Sequence, residues 1–311
     1  MSLLSVIIPS YNEEANIALT ARRVAQVLEG AGIAYECVFI DDGSKDNTFR
    51  LIEEASHENP RVRGVSFSRN FGKEAAIFAG LSEARGDCCV LLDCDMQFPP
   101  ECVPQMYELW RQGYEVVEGK KASRGKESLF YKCSAGLFYK LISKCTRVDM
   151  KSSSDFKLLD RKVVDVLTAL PEKDTFFRAL SFWAGFRTAT VEFEVAQRQA
   201  GTSKWSVRGL MKYAVQNITS FTTVPLQLVT LIGIILLLVS AILGIQTLVR
   251  FLLGRAVEGF TTVILLLLII GGGIMISLGI IGHYIARIYD EVKGRPKYII
   301  AHRTDEIRPP R

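Results

Sequence analysis

Two long apolar segments near the C-terminus constrain the fold more than any other feature of the sequence. Pro225–Val249 and Phe260–Gly282 contain no charged residue. Each is long enough to cross a bilayer core, which takes about 20 residues of α-helix. Because only the short connector RFLLGRAVEG separates them, we predict a transmembrane hairpin of two helices, about 225–249 and 260–285, within residues 216–290.

The basic residues around this hairpin predict its orientation. Its outer ends are flanked by lysine and arginine residues, namely Lys204, Arg208, Lys212, Arg287, Lys293, Arg295 and Lys297, whereas the connector carries only Arg250 and Arg255. Loops rich in lysine and arginine stay in the cytoplasm. We therefore expect a multi-pass protein of the cell membrane, with residues 1–215 as a cytoplasmic domain and residues 291–311 as a cytoplasmic tail.

Residues 1–215 alternate between strand-like and helical patterns. The segments SVIIPS, YECVFIDD, VRGVSFS and CCVLLD are typical of buried strands, and helical segments lie between them. Such alternation predicts an α/β domain, with a mostly parallel sheet and helices on both faces. Ligands of these sheets bind beyond the carboxyl ends of the strands. Two acidic pairs, Asp41–Asp42 and Asp93 with Asp95, follow two of the strands and should share one crevice.

The stretch VLLDCDMQFPPE ends an apolar strand with two carboxylates, Asp93 and Asp95. Carboxylates this close repel each other unless a positive charge lies between them. Because no set of His and Cys residues accompanies them, the expected charge is Mg²⁺ or Mn²⁺, which takes oxygen ligands and shares them with substrate phosphates. Gln97 offers a further oxygen, so we predict a metal site formed by Asp93, Asp95 and Gln97.

Basic and amphipathic segments add less specific signals. Arg124, Arg198 and Lys204 lie in Gly- or Ser-containing stretches and could face a diphosphate, although a solvated surface position is an equal alternative for each. Residues 120–146 fit either a helix packed on the sheet or an amphipathic helix in the membrane interface. The net charge of +5 fits an anionic substrate or membrane surface, and without a zinc-finger or RNA-binding signature we expect no nucleic-acid partner.

Six motifs carry a resemblance to a known family. In chain order they are SVIIPSYNEEANI, VFIDDGSKDNT, SRNFGKEAAIFAGL, LLDCDMQFPPE, SSSDFKLLDRKVV and RQAGTSKW. Together with the two apolar segments, they resemble the GT-A-type inverting glycosyltransferases that act on polyprenyl phosphates, dolichyl-phosphate mannose synthases and bacterial undecaprenyl-phosphate glucosyltransferases in particular. The resemblance implies a GT-A (Rossmann-like) fold and metal-dependent transfer of a hexose, glucose from UDP-glucose, to undecaprenyl phosphate.

The resemblance also implies roles for individual residues. The nucleotide pocket would be lined by Pro9, Tyr11 and Glu13, with Asp42 and Asp41 near the base or ribose. The metal and the diphosphate would be held by Asp93, Asp95 and Gln97, with Arg124, Arg198 and Lys204 near the phosphates. Asp155 would lie at the acceptor site. Because a lipid phosphate, with a second pKa of about 6, is largely ionised at neutral pH, Asp155 is expected to orient a substrate, although a role as base stays open.

Several alternatives remain at this stage. The donor could instead be GDP-mannose, UDP-GlcNAc or a nucleotide-linked modified pentose. A polysaccharide synthase of the same fold would usually carry more membrane spans, and a membrane-anchored nucleotide-sugar-binding protein would need no turnover. The run Gly271–Gly273 would allow close helix packing, so a homo-oligomer is compatible with the sequence.

Overall fold

The computed structural model describes residues 2–121, 154–173, 175–193, 224–254 and 259–305. The chain divides into two compact units. The first consists of Met1–Val207 together with Pro296–Arg311, and the second of Arg208–Arg295.

The first unit contains strands and helices that alternate along most of the chain. The described strands are β1 (Leu4–Ser10), β2 (Tyr35–Asp41), β3 (Val62–Phe67), β4 (Cys88–Leu91), β5 (Val116–Lys121), β6 (Lys157–Asp160), β7 (Thr188–Phe193) and β8 (Ile300–Arg303). The described helices are α1 (Ile17–Gly30), α2 (Thr48–Glu58), α3 (Lys73–Glu83), α4 (Val103–Arg111), α5 (Arg161–Ala169) and α6 (Phe177–Trp183), with a 3₁₀ turn at Pro100–Cys102.

The described strands form one sheet in the order β7-β5-β6-β4-β1-β2-β3-β8. Strand β1 pairs in parallel with both β2 and β4, and β2 pairs in parallel with β3. Strands β6 and β8 run antiparallel to their neighbours. The sheet is therefore mixed but mostly parallel, as predicted.

Both faces of the sheet are covered by helices, which confirms the predicted layers. Along β2, Cys37 and Phe39 belong to a core formed with α1, α2 and α4. Val38 and Ile40 point to the other face, into a core with α3. Successive side chains of a strand alternate between faces, so a strand buried on both sides is continuously apolar. This is why the strand segments were recognisable in the sequence.

The C-terminal segment contributes a strand to the sheet. Within the predicted tail 291–311, β8 pairs antiparallel with β3 and so belongs to the sheet. Arg303 anchors it through an ion pair with Glu83, at 2.9 Å. The physical reason is that β3 would otherwise expose an unpaired strand edge, which folded proteins generally cover. The predicted tail 291–311 therefore contributes a strand to the sheet at residues 300–303, and its cytoplasmic location stays a prediction.

The second unit contains two long apolar helices, α7 (Val224–Leu252) and α8 (Phe260–Val292). Their segments Val229–Arg250 and Ile269–Val292 are long and apolar enough to cross a membrane, with mean hydropathies of 2.5 and 1.8 and no part of them buried. Within the pair, a Cβ on Gly273 would lie 3.2 Å from Cδ1 of Leu236, so glycine permits close approach there. A homo-oligomer built on Gly271–Gly273 stays a prediction.

Candidate active site

A pocket of about 450 Å³ opens at the carboxyl ends of β1, β2 and β4 and at the start of α3. Its lining residues are Pro9, Ser10, Tyr11, Glu13, Asp42, Asn70, Gly72, Lys73, Ala76, Asp93, Cys94 and Asp95. The structure thus brings together all the residues predicted for nucleotide and metal binding except Asp41 and Gln97. The expectation that the acidic ends of two strands share one crevice is confirmed for Asp42, Asp93 and Asp95.

The loop after β1 is held against the turn that follows β2. The backbone N–H of Glu13 donates to Thr48 Oγ1 at 2.9 Å, and the Asn16 amide donates to Glu13 Oε2 at 2.6 Å. Burial raises the pKa of Glu13 against the lowering effect of Asn16, and the charges of Asp95 and Asp93 raise it further. Glu13 therefore lies within the negative field of the carboxylates at the strand ends.

Asp42 ties the loop after β2 to the loop after β3. Its two carboxylate oxygens accept hydrogen bonds from the backbone N–H groups of Phe71 (2.6 Å) and Gly72 (2.9 Å). Gly72 has a φ of +100°, a conformation that only glycine adopts easily. At Gly43, with φ +64°, a Cβ would collide with the backbone of Arg69, so glycine is required for the two loops to lie this close.

Asp41 has a structural role in this arrangement. Its side chain is buried, accepting hydrogen bonds from the Ser66 hydroxyl at 2.6 Å and from the Ser44 backbone N–H at 3.0 Å. It therefore joins the ends of β2 and β3, and it does not line the pocket. Its predicted role near the base or ribose stays a prediction.

A series of alternating charges connects the pocket to Asp155, the residue predicted at the acceptor site. The Lys73 ammonium lies 2.7 Å from Asp93 Oδ1 and 3.0 Å from Asp155 Oδ2. Asp155 is also held by two parallel hydrogen bonds from the Arg178 guanidinium, at 2.6 and 2.9 Å. Lys73 thus bridges the end of β4 and the segment that precedes β6.

These contacts determine the protonation state of Asp155. Burial by itself raises the pKa of this carboxyl, but the hydrogen bonds from Arg178 and the charge of Lys73 outweigh it and hold the pKa well below its usual range. Asp155 is therefore a carboxylate at neutral pH, with its oxygens occupied by two cations. A carboxylate engaged in this way is a poor acceptor for a substrate proton.

Glu74, next to Lys73, is the second titratable group of this cluster. Its carboxylate accepts the backbone N–H of Phe177, at the start of α6, at 2.9 Å. Burial, with a further contribution from the charge of Asp155, raises the pKa of Glu74 to about 7. Glu74 thus links α3 to α6, and its charge varies near neutral pH.

The raised pKa of Glu74 predicts a pH dependence of stability. Between the ordinary glutamate pKa and about 7 the folded protein holds this proton more tightly than the unfolded chain. The stabilising contribution of Glu74 is therefore complete below the ordinary glutamate pKa, and it is lost as the pH rises from there through about 7. In Glu74→Gln we expect this loss, on the order of 2 kcal/mol, to disappear. Melting temperatures of the wild type and of Glu74→Gln, measured in detergent from pH 5 to pH 8, test this expectation. An equal change of melting temperature with pH in both proteins would contradict it.

Asp93 and Asp95 are the carboxylates suited to a divalent cation. Both line the pocket, and the part of the chain that the structure describes contains no group of three His, Cys, Asp or Glu side chains placed to hold a metal. Two carboxylates fit Mg²⁺, which usually completes its shell with water and substrate phosphates. The donor set therefore fits a cation bound together with a diphosphate.

Gln97 is the weakest member of the predicted metal set. Its backbone N–H donates to Asp95 Oδ1 at 3.1 Å, and it is not among the residues lining the pocket. The turn between them contains Met96 at φ +57°. Gln97 therefore supports the orientation of Asp95, and its role as a ligand stays a prediction.

Three predicted residues, Arg124, Arg198 and Lys204, lie outside the described residues, as does most of the amphipathic segment 120–146. Their roles near the phosphates and in the membrane interface stay predictions. Among the described residues, positive charge at the site comes from Lys73 and Arg178.

Sequence reasoning missed Lys73, Glu74 and Arg178. Lys73 did carry a signal, because a lysine at the first position of a helix opposes the helix dipole and is unfavourable without a nearby anion. Glu74 gave none, since an acidic residue in the first turn is ordinary. Arg178 resembles any other arginine in a helix.

Residues 5–167 match the family described as Glycosyl transferase family 2. The chain belongs to this family of glycosyltransferases, in agreement with the resemblance carried by its motifs.

Two relatives extend the similarity over almost the whole chain. A putative glycosyltransferase, CsbB, of Bacillus subtilis is 39% identical over 96% of this chain and 91% of its own length. The SfII prophage-derived bactoprenol glucosyl transferase of Shigella flexneri is 38% identical over 96% of this chain and 97% of its own. The similarity therefore includes the two apolar helices as well as the sheet.

Among solved structures, glucosyl-3-phosphoglycerate synthase from Mycobacterium tuberculosis in complex with Mg²⁺ and UDP is similar in fold. It is 19% identical, with a TM-score of 0.51, and the match covers 70% of this chain and 75% of that one. At this identity the likeness concerns the fold alone, and it agrees with the predicted GT-A architecture.

Proposed function

We propose that this protein transfers a hexose, glucose from UDP-glucose, to a polyprenyl phosphate at the membrane surface. The observation that carries the proposal is the pocket in which Asp93, Asp95 and Lys73 meet at the strand ends of a family 2 glycosyltransferase. Relatives at 38% identity over nearly the full length are bactoprenol glucosyl transferases. The two long apolar helices suit an acceptor whose lipid chain stays in the bilayer.

In this reaction one bond breaks and one forms at C1 of the sugar. An oxygen of the lipid phosphate attacks C1, and the bond from C1 to the diphosphate of the donor breaks. The nucleoside diphosphate leaves with the bonding electron pair. Direct displacement inverts the configuration, so an α-linked donor gives a β-linked lipid phosphate sugar.

Asp93 and Asp95 would hold Mg²⁺ or Mn²⁺, which when bound offsets the charge of the diphosphate. The chain itself supplies Lys73, whose ammonium is in contact with Asp93 and whose side chain is 45% exposed at the pocket. A cation in this position can stabilise the negative charge that develops on the leaving group. Lys73 is therefore proposed as a catalytic residue beside the carboxylates.

Asp155 is proposed to position groups for the reaction without taking a proton. The attacking phosphate, with a second pKa of about 6, is already largely ionised at neutral pH and needs no strong base. The carboxylate of Asp155 is occupied by Arg178 and Lys73, and this pairing fixes both cations at the same end of the sheet. The orienting role is thus favoured over the role of base.

The chain connectivity supports a hairpin with both outer ends on one side of the membrane. The strands before α7 and the strand β8 after α8 belong to the same sheet. If α7 and α8 cross the bilayer, the polypeptide must return to the side from which it entered. The basic residues around the outer ends favour the cytoplasm as that side.

This topology predicts opposite labelling of two positions. Leu253, directly after α7, and Ile299, directly before β8, are both exposed. A membrane-impermeant maleimide should label Leu253→Cys only from outside the cell and Ile299→Cys only from the cytoplasmic side, in oriented vesicles. The wild-type chain measures the background, because Cys102 is partly exposed while the other four described cysteines are buried. Labelling of both variants from the same side would contradict the hairpin.

The proposal is tested by a transfer assay with the purified full chain in detergent. UDP-glucose, GDP-mannose and UDP-GlcNAc are each offered with undecaprenyl phosphate and with Mg²⁺ or Mn²⁺, and the lipid product is identified by mass spectrometry. We expect glucosyl lipid phosphate from UDP-glucose. Transfer from GDP-mannose alone would identify a mannosyltransferase, and binding without transfer from any donor would identify a binding protein.

A further inference from the structure

The chain that follows α8 contacts the loop that forms one wall of the pocket. The segment 296–304, here called the C-terminal strap, pairs through β8 with β3. Its backbone continues the pairing beyond the strand, because the N–H of Ser68 donates to the Ile299 carbonyl at 3.0 Å. At the opposite end, the N–H of Thr304 donates to the Gly64 carbonyl at 3.0 Å. The strap is thus hydrogen-bonded to the chain from Gly64, within β3, to Ser68, just after it.

Tyr298 of the strap takes part in a cluster of three aromatic rings. Its ring stacks on Phe67, the last residue of β3, with centroids 5.0 Å apart and an interplanar angle of 12°. Phe67 in turn meets Phe71 edge to face, with centroids 5.8 Å apart. Such pairs contribute about 0.5–1.5 kcal/mol beyond the burial of their area. Through Phe67, Tyr298 therefore supports Phe71 in the loop 68–72.

The loop 68–72 leads directly into the site. The backbone N–H of Phe71 and that of Gly72 donate to Asp42, and Asn70, Gly72 and Lys73 line the pocket. Lys73 begins α3 and binds Asp93. A shift of Phe71 would therefore move the Asp42 contacts and the start of the helix that carries Lys73.

We propose that Tyr298 is a positioning residue for the donor pocket. It acts through Phe67 and Phe71 on the loop 68–72, so that binding of the nucleotide sugar depends on a residue located after both apolar helices. The inference rests on the proposed function for the identity of the donor. The aromatic cluster and its connection to Asp42 are independent of that identity.

The test compares Tyr298→Ala with a substitution that removes an apolar side chain from the same cluster. Ile300 packs against the same apolar cluster as Tyr298, so Ile300→Ala removes apolar contact without removing a ring. Tyr298→Phe keeps the ring and loses only the hydroxyl. We expect Tyr298→Ala to weaken UDP binding in the presence of Mn²⁺ on the order of tenfold, as loss of supporting contacts around a site commonly does. Ile300→Ala and Tyr298→Phe should bind UDP nearly as the wild type does.

Hydrogen exchange provides a readout that needs no ligand. The amides of Phe71 and Gly72 should exchange faster in Tyr298→Ala than in Ile300→Ala, measured by mass spectrometry of the full chain in detergent. Equal exchange in the two variants, or equal UDP affinity, would overturn the positioning role. If the wild type binds no nucleoside diphosphate, the proposed function fails, and the inference about donor binding fails with it. Faster exchange in Tyr298→Ala than in Ile300→Ala would then still show that Tyr298 positions the loop 68–72.

Discussion

Replacing Asp95 by asparagine is expected to lower kcat/KM for sugar transfer by about a hundredfold or more, as removal of a group that stabilises transition-state charge does. The amide removes a negative charge that would hold the divalent cation. It keeps an oxygen in the position that accepts the Gln97 N–H, so the turn at the end of β4 should be preserved. Initial rates at several Mn²⁺ concentrations measure the effect, and part of the activity should return at high Mn²⁺.

Asp165→Asn is the matched control for this substitution. Asp165 lies on α5 with its side chain 65% exposed, and it pairs with Arg161 at 3.8 Å within the same helix. Such pairs contribute only a few tenths of a kcal/mol, so this variant should transfer sugar at the rate of the wild type. Unchanged turnover and unchanged Mn²⁺ dependence in Asp95→Asn would show that Asp95 does not serve the metal.

Replacing Lys73 by methionine is expected to reduce kcat on the order of a hundredfold to a thousandfold. Methionine has a similar length but no charge, so Asp93 and Asp155 lose the ammonium that lies between them. The leaving diphosphate would also lose a cation at the pocket. Single-turnover rates with saturating UDP-glucose separate this loss from a change in donor binding.

Two further variants define the cause of that loss. Lys73→Arg keeps the charge and should retain more activity than Lys73→Met. Lys162→Met removes an exposed lysine at the start of α5 and should leave the rate unchanged. A Lys73→Met protein as active as Lys162→Met would exclude the catalytic role of Lys73.

The layered α/β fold and the acidic crevice were predictable because they follow from patterns local to the chain. Strands such as β2, buried on both faces, are continuously apolar, and their carboxyl ends must meet at one edge of a parallel sheet. Asp42, Asp93 and Asp95 were located by that rule alone. The two apolar helices were recognisable from length and composition.

The parts that were not predicted depend on contacts between distant segments. Arg178 reaches Asp155 only because α6 returns to the sheet, and nothing in its neighbours along the chain marks it. Strand β8 was assigned to a tail because its partner β3 lies more than two hundred residues earlier, beyond both apolar helices. The repulsion between the carboxylates was attributed to a missing metal alone, whereas Lys73 supplies a positive charge beside Asp93 from within the chain.

Asp93 and Asp95 are proposed to bind a divalent cation together with the diphosphate of the donor. Calorimetric titration of UDP into the purified full chain, with Mn²⁺ or with EDTA, measures whether nucleotide binding depends on the metal. We predict that the wild type binds UDP much more tightly with Mn²⁺ than with EDTA, and that the combined variant Asp93→Asn and Asp95→Asn shows no such difference. Equal affinity of the wild type under both conditions, or manganese dependence that survives in the combined variant, would contradict this metal site.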